Sequence, residues 1–139
     1  MKLLMAEDLE SVRQHLGELL AETADVELRF VAQEASQLMQ AAADWQPDVA
    51  ILDLRLRGMM TLGALETLKR KWPDMSVVVS GFFFEPYYRT AFLRHGADFF
   101  FDKSLEWGDL LAFLRQRMAQ PASNPVDANR MTPLQVSQF

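Results

Sequence analysis

Four short apolar runs punctuate the chain: Leu3 to Ala6, Val49 to Leu52, Val77 to Val79 and Phe99 to Phe101. Runs this short and this continuous predict strands buried on both faces, as in a parallel sheet covered by helices. Val26, Leu28 and Phe30 instead alternate with Glu27 and Arg29, which predicts a half-exposed edge strand. Between the strands lie stripes of helical period. They comprise Val12, Leu16, Leu19 and Leu20, then Ala35, Leu38, Met39 and Ala42, then Leu62, Leu65, Leu68 and Trp72. Tyr87, Tyr88, Ala91 and Phe92 predict a fourth helix entered through Pro86, and Trp107, Leu110, Leu111, Leu114 and Met118 a fifth, N-capped by Ser104. The pattern is βα repeated five times, an α/β fold on a five-stranded parallel sheet.

After Met118 the sequence turns to Pro121, Ser123, Asn124 and Pro125, which do not sustain a helix. Residues 1–118 are therefore expected to form the folded unit and 119–139 a linker or C-terminal tail. A length of 139 residues, half of them hydrophobic and 24% charged, matches one globular domain. The net charge of -5 without a run of Lys or Arg argues against nucleic acid as a partner. The absence of cysteine removes disulfides, thiolate metal sites and catalytic thiols. The first apolar run is cut short by Glu7 and Asp8, too early for a signal peptide or membrane span, so a cytoplasmic protein with no membrane contact is expected.

In an open parallel sheet, functional groups gather at the carboxyl ends of the strands. The first strand is followed by Glu7 and Asp8, the third ends in Asp53, the fourth in Ser80 and Gly81, and the fifth in Asp102 and Lys103. Carboxylates crowded on one rim require a cation, and an oxygen-only donor set selects Mg²⁺ or Mn²⁺ over zinc. Mg²⁺ beside a carboxylate nucleophile points to phosphoryl transfer onto Asp53. Each residue alone has an ordinary explanation: Asp53 as a helix cap, Glu7 or Asp8 as an N-terminal helix acid, Ser80 as a turn residue, Lys103 as a solvated lysine. Their convergence is what favours chemistry. His15 and His95 are isolated and are assigned none.

Four segments, Leu3-Leu4-Met5-Ala6-Glu7-Asp8, Asp48 to Gly58 around Asp53, Val77-Val78-Val79-Ser80-Gly81, and Gly96 to Ser104, together resemble the receiver domain of bacterial two-component response regulators. The resemblance spans about Lys2 to Met118 and implies a flavodoxin-like fold with strand order 2-1-3-4-5 and helices on both faces. It implies phosphotransfer to Asp53 from a sensor histidine kinase or phosphotransfer protein. Mg²⁺ would be held by Glu7, Asp8, Asp53 and the backbone carbonyl of Arg55. Lys103 would pair with the phosphoryl oxygens, and the Ser80 hydroxyl would move to meet them. Phe100 occupies the aromatic switch position. The fourth helix, fifth strand and fifth helix would form the output surface for a downstream protein target, and in some members of the family a homodimer interface. Such a domain is no enzyme beyond its own phosphorylation and aspartyl-phosphate hydrolysis.

Several positions depart from that pattern. Arg57 and Thr61 stand where proline and glycine are usual, and Ser104 replaces the proline after the lysine, where a cis bond is common in the family. Arg55 and Phe82, two residues past Asp53 and Ser80, should flank the path of water to an aspartyl phosphate and slow its hydrolysis. The segment Phe82 to Tyr88 is unusually aromatic and is expected to be partly core and partly exposed. Met131-Thr132-Pro133-Leu134-Gln135 resembles the opening of a helix-turn-helix domain, so the truncated receiver of a DNA-binding response regulator is one alternative. A phosphorylation-independent interaction module of the same fold is another. An Mg²⁺-dependent small-molecule phosphatase is disfavoured, because Arg55 stands where a second aspartate would be needed.

Overall fold

The computed structural model describes residues 1–23 and 25–120. Strands and helices alternate strictly: β1 (Lys2–Ala6), α1 (Glu10–Leu20), β2 (Glu27–Val31), α2 (Ala35–Trp45), β3 (Val49–Asp53), α3 (Thr61–Lys71), β4 (Ser76–Gly81), α4 (Pro86–Arg94), β5 (Phe99–Asp102) and α5 (Trp107–Ala119). All pairings are parallel and the strand order is β2-β1-β3-β4-β5, as expected. α5 runs one residue past the boundary placed at 118. The linker beginning at Pro121 and the helix opening at Met131 lie outside the described residues.

The strands read as continuous apolar runs because the sheet is covered on both sides. Leu3, Met5, Val49, Ile51, Val78 and Phe101 face α1 and α5. Leu4, Ala6, Ala50, Leu52, Val79 and Phe100 face α2, α3 and α4. β2 closes one edge and is only partly buried, as its alternation predicts. Parallel registry sets Asp53 beside Ser80 and Gly81 beside Asp102, so the chemistry-bearing ends of β3, β4 and β5 finish level.

Two local expectations are corrected. Tyr87 and Tyr88 form no buried stripe: both are exposed and pack on each other at 4.6 Å between ring centroids, and only Phe92 of α4 enters the core. The sheet beneath α4 is already filled by Phe100, against which Phe84 packs edge-on at 4.8 Å. Ser104 does not cap α5. Its hydroxyl donates to the Asp102 carboxylate, and the helix starts at Trp107 behind Glu106. The Glu106 carboxylate accepts from the Asp102 backbone N–H at 2.9 Å and from the Arg89 guanidinium at 2.7 Å. Burial pushes the Glu106 carboxyl up, but those two donors outweigh it and hold the group below the usual glutamate range. Among the described residues no peptide bond is cis, so Lys103–Ser104 is trans.

The packing yields a direct test. Leu16 on α1 is fully buried against the sheet, whereas Leu93 on α4 is 43% exposed. Leu16→Ala should lower the unfolding free energy by about 2–5 kcal/mol in urea, and Leu93→Ala by less than about 0.5 kcal/mol.

Candidate phosphoryl-transfer site

The site forms where the loops leave the carboxyl edge of the sheet. Lys103 follows β5, with its backbone N–H donating to the Gly81 carbonyl at 2.9 Å. Its side chain spans the end of β4, where Ser80 and Gly81 are small, and reaches both Asp53 and Glu7. The ammonium lies 2.5 Å from Asp53 Oδ2 and 2.7 Å from Glu7 Oε1, with all three side chains at most 6% exposed. The Phe82 ring covers it, with its centroid 4.8 Å from the nitrogen. Two carboxylates buried this deeply would be prohibitively desolvated without that cation. An ammonium has three protons to donate; one is hydrogen-bonded to Glu7, and the contact to Asp53 is a close ion pair.

The second Asp53 oxygen, Oδ1, accepts from the Arg55 backbone N–H at 2.7 Å and from the Gln33 side-chain amide at 3.3 Å. Thr61 donates its hydroxyl to the Asp53 carbonyl at 2.8 Å, tying the start of α3 back to the end of β3. The nucleophile candidate is thereby fixed at both carboxylate oxygens and at its backbone. Ser80 is fully buried and its hydroxyl donates to the Leu52 carbonyl at 3.0 Å, away from Asp53. Phe100 is 1% exposed, between Phe84 and Phe92. The Arg89 guanidinium donates to its carbonyl at 3.0 Å and lies 5.3 Å from its ring centroid.

Asp8 is exposed and engaged sideways. Its Oδ1 accepts from the Gln33 backbone N–H at 2.8 Å, and its Oδ2 pairs with Arg57. The Arg57 guanidinium, helped by that N–H, holds the Asp8 carboxyl below the usual aspartate range. Because Lys103 stands between Glu7 and Asp53 while Asp8 faces Arg57, no three acids among the described residues form a preassembled metal cluster. The donor chemistry still suits a hard cation. Glu7, Asp8, Asp53 and Arg55 line one cavity of about 190 Å³, and Asp53 Oδ1 and the Arg55 carbonyl converge on a single point, now filled by the Gln33 amide.

The strand-end rule brings Glu7, Asp53, Ser80 and Lys103 together and sets Asp8 on the rim. Gln33, Thr61 and Arg57 escaped it as site residues. Gln33 lies at the carboxyl end of β2, so extending the same rule to the edge strand points to it. Thr61 and Arg57 register only as departures from the family pattern, and their roles depend on how the loop after Asp53 closes.

The family model for the response regulator receiver domain matches residues 3–115. The chain belongs to the response regulator receiver family. Among its curated relatives, the response regulator GacA of Pseudomonas aeruginosa is 26% identical over 118 residues, covering 85% of this chain and 55% of the relative. The nitrate/nitrite response regulator NarL of Escherichia coli is 28% identical over 117 residues, covering 84% of this chain and 54% of the relative. The chain thus spans about half the length of the curated relatives it matches. The receiver domain of NtrX from Brucella abortus superposes with a TM-score of 0.73 at 22% identity, over 87% of this chain and all of that one, and shares its fold.

In this receiver domain the Lys103 bridge should dominate local stability. Lys103→Met leaves two buried carboxylates facing each other and should cost about 3–5 kcal/mol in urea unfolding with chelator present. Adding Glu7→Gln should recover part of that loss, because only one buried carboxylate then remains.

Proposed function

We propose that this receiver domain takes a phosphoryl group on Asp53 from a phosphohistidine of a sensor kinase or phosphotransfer protein. The supporting observation is Asp53 itself: a buried carboxylate in contact with a buried ammonium, opening onto a cavity that Glu7, Asp8 and Arg55 also line. An Asp53 oxygen attacks phosphorus while the bond from phosphorus to the donor imidazole nitrogen breaks, and that nitrogen keeps the electron pair. The Arg55 N–H orients the carboxylate. Lys103 turns a proton not bonded to Glu7 toward a phosphoryl oxygen, neutralising charge as it develops. Mg²⁺ or Mn²⁺, held by Glu7, Asp8, Asp53 and the Arg55 carbonyl, would supply further charge neutralisation when bound.

Switching follows from Ser80. Its hydroxyl leaves the Leu52 carbonyl to donate to the phosphoryl group, and the β4–α4 segment moves with it. Phe100 already lies inward in contact with Phe84 and Phe92, so displacement of Phe84 and Arg89 carries the change to the surface of α4, β5 and α5. There it would reach a downstream protein target or a second copy of the chain. The domain would have no catalysis beyond its own phosphorylation and dephosphorylation. A cytoplasmic location belongs to the same proposal; among the described residues no helix is long and apolar enough to cross a membrane.

One observation favours the phosphorylation-independent interaction module instead. Glu7, Asp8, Asp53 and the Arg55 carbonyl are all already satisfied by protein donors. Intact mass after incubation with Mg²⁺ and acetyl phosphate separates the two. One added phosphoryl mass on wild type and none on Asp53→Ala is the expected result, and an unchanged wild-type mass would favour the interaction module. Arg55 and Phe82 both line the cavity beside Asp53. Replacing both with alanine should speed loss of the phosphoryl label in phosphate-release assays, and equal rates would remove them as barriers to water.

A further inference from the structure

Gln33 makes four contacts that no other described residue combines. Its backbone N–H donates to Asp8 Oδ1 at 2.8 Å and its carbonyl accepts from the Arg57 N–H at 3.1 Å. Its side-chain nitrogen donates to the Arg55 carbonyl at 3.0 Å and to Asp53 Oδ1 at 3.3 Å. A carbonyl and a carboxylate oxygen can only accept, so the amide must present its NH₂ end there. That NH₂ group lies between two of the oxygens proposed above to bind a divalent cation, and the Gln33 backbone holds a third proposed ligand, Asp8.

We propose that the Gln33 amide is a built-in competitor for the divalent cation, a side-chain gate that must swing out before the metal can bind. The proposal rests on the phosphoacceptor function given above. An amide NH₂ satisfies the two oxygens through partial positive charge, so the site without metal is not left with unpaired acceptors. A cation binding the same oxygens has to approach far closer than the nitrogen does, about 2.0–2.1 Å for Mg²⁺, and the two cannot coexist.

The surrounding backbone makes this a rotor on a fixed mount. Residues Glu34 and Arg57 form a parallel β-bridge, with the Ala35 N–H donating to the Arg57 carbonyl at 2.8 Å, which joins the β2–α2 loop to the loop after Asp53. Gly58 is required at the junction: its φ is +86°, and a Cβ would lie 2.9 Å from Glu34 Oε2. Glu34 is in turn occupied at the N-cap of α2, accepting from the Gln37 N–H at 3.0 Å. Gln33 is partly exposed, so its amide can exchange the two oxygens for water by side-chain rotation alone, with the bridge intact.

Calorimetric titration of the full chain with MgCl₂, without phosphodonor, tests the gate in wild type, Gln33→Ala and Gln33→Met. Both variants lose the NH₂ donor, and the second keeps most of the bulk. Each should bind Mg²⁺ about three- to tenfold more tightly than wild type. In ¹⁵N-labelled wild type, the Gln33 side-chain NH₂ pair should move toward solvent-exposed shifts as Mg²⁺ saturates. Equal or weaker binding by both variants, or an unmoved NH₂ pair at saturation, would overturn the gate while leaving the phosphoacceptor function standing. No Mg²⁺ binding by any of the three proteins would remove the metal site itself, and the gate with it.

Discussion

The buried bridge from Lys103 to Asp53 and Glu7 is the interaction on which the active edge depends. It joins the ends of three strands, β1, β3 and β5, through one ammonium group. The fold makes it possible because β4, which lies between β3 and β5, ends in small residues at Ser80 and Gly81. A Cβ at Gly81 would lie 2.7 Å from Leu54 Cδ1, so this glycine leaves room for the Leu54 side chain to pack over the end of β4. Lysine suits the task better than arginine would, since a compact ammonium can lie between two carboxylates with a donor to spare.

Around that bridge the loops form a second ring of mutual restraint. Gln33 ties the β2–α2 loop to Asp8, Asp53 and Arg55, while Arg57 reaches from the loop after Asp53 to Asp8. The Asp8–Arg57 pair is solvent-exposed and adds little to stability, but it holds a carboxylate away from its neighbours Glu7 and Asp53 and so lowers the repulsion around the cavity. Thr61, standing where the family usually has glycine, spends its hydroxyl on the Asp53 carbonyl and is 5% exposed. Two of the departures from the family pattern, Arg57 and Thr61, therefore lie in or beside the loop after Asp53 and both tie it down.

The fold was legible because its signal is periodic. Runs such as Val49 to Leu52 can be buried on both faces only in a covered sheet, and every strand lies where such a run or alternation occurs. Most of the site was legible for the same reason: parallel registry aligns strand ends, so residues distant in sequence meet. The misreadings arise where a neighbouring group takes the partner or the space that local chemistry offers. Ser104 has the hydroxyl of an N-cap, but Asp102 two residues earlier captures it. Tyr87 and Tyr88 have the spacing of a core stripe, but the space under α4 is taken by Phe84, Phe92 and Phe100. Gln33 carries no charge and follows the edge strand, so nothing in its identity sets it apart until the loops close.

Charge balance explains why such a site would need a cation only in its phosphorylated state. Glu7, Asp53 and Lys103 together carry a formal charge of -1, and Asp8 with Arg57 carries none. An acyl phosphate on Asp53 would replace one negative charge with about -1.5 to -2 and crowd its oxygens against Glu7. The lysine cannot compensate for that alone, and Arg57 is committed to Asp8. Arg55, exposed at the cavity rim, Arg13, whose guanidinium is bonded to the Glu7 and Val31 carbonyls, and a divalent ion are further sources of positive charge. If Asp53 takes a phosphoryl group as proposed, a site of this charge would couple ion binding to modification through electrostatics.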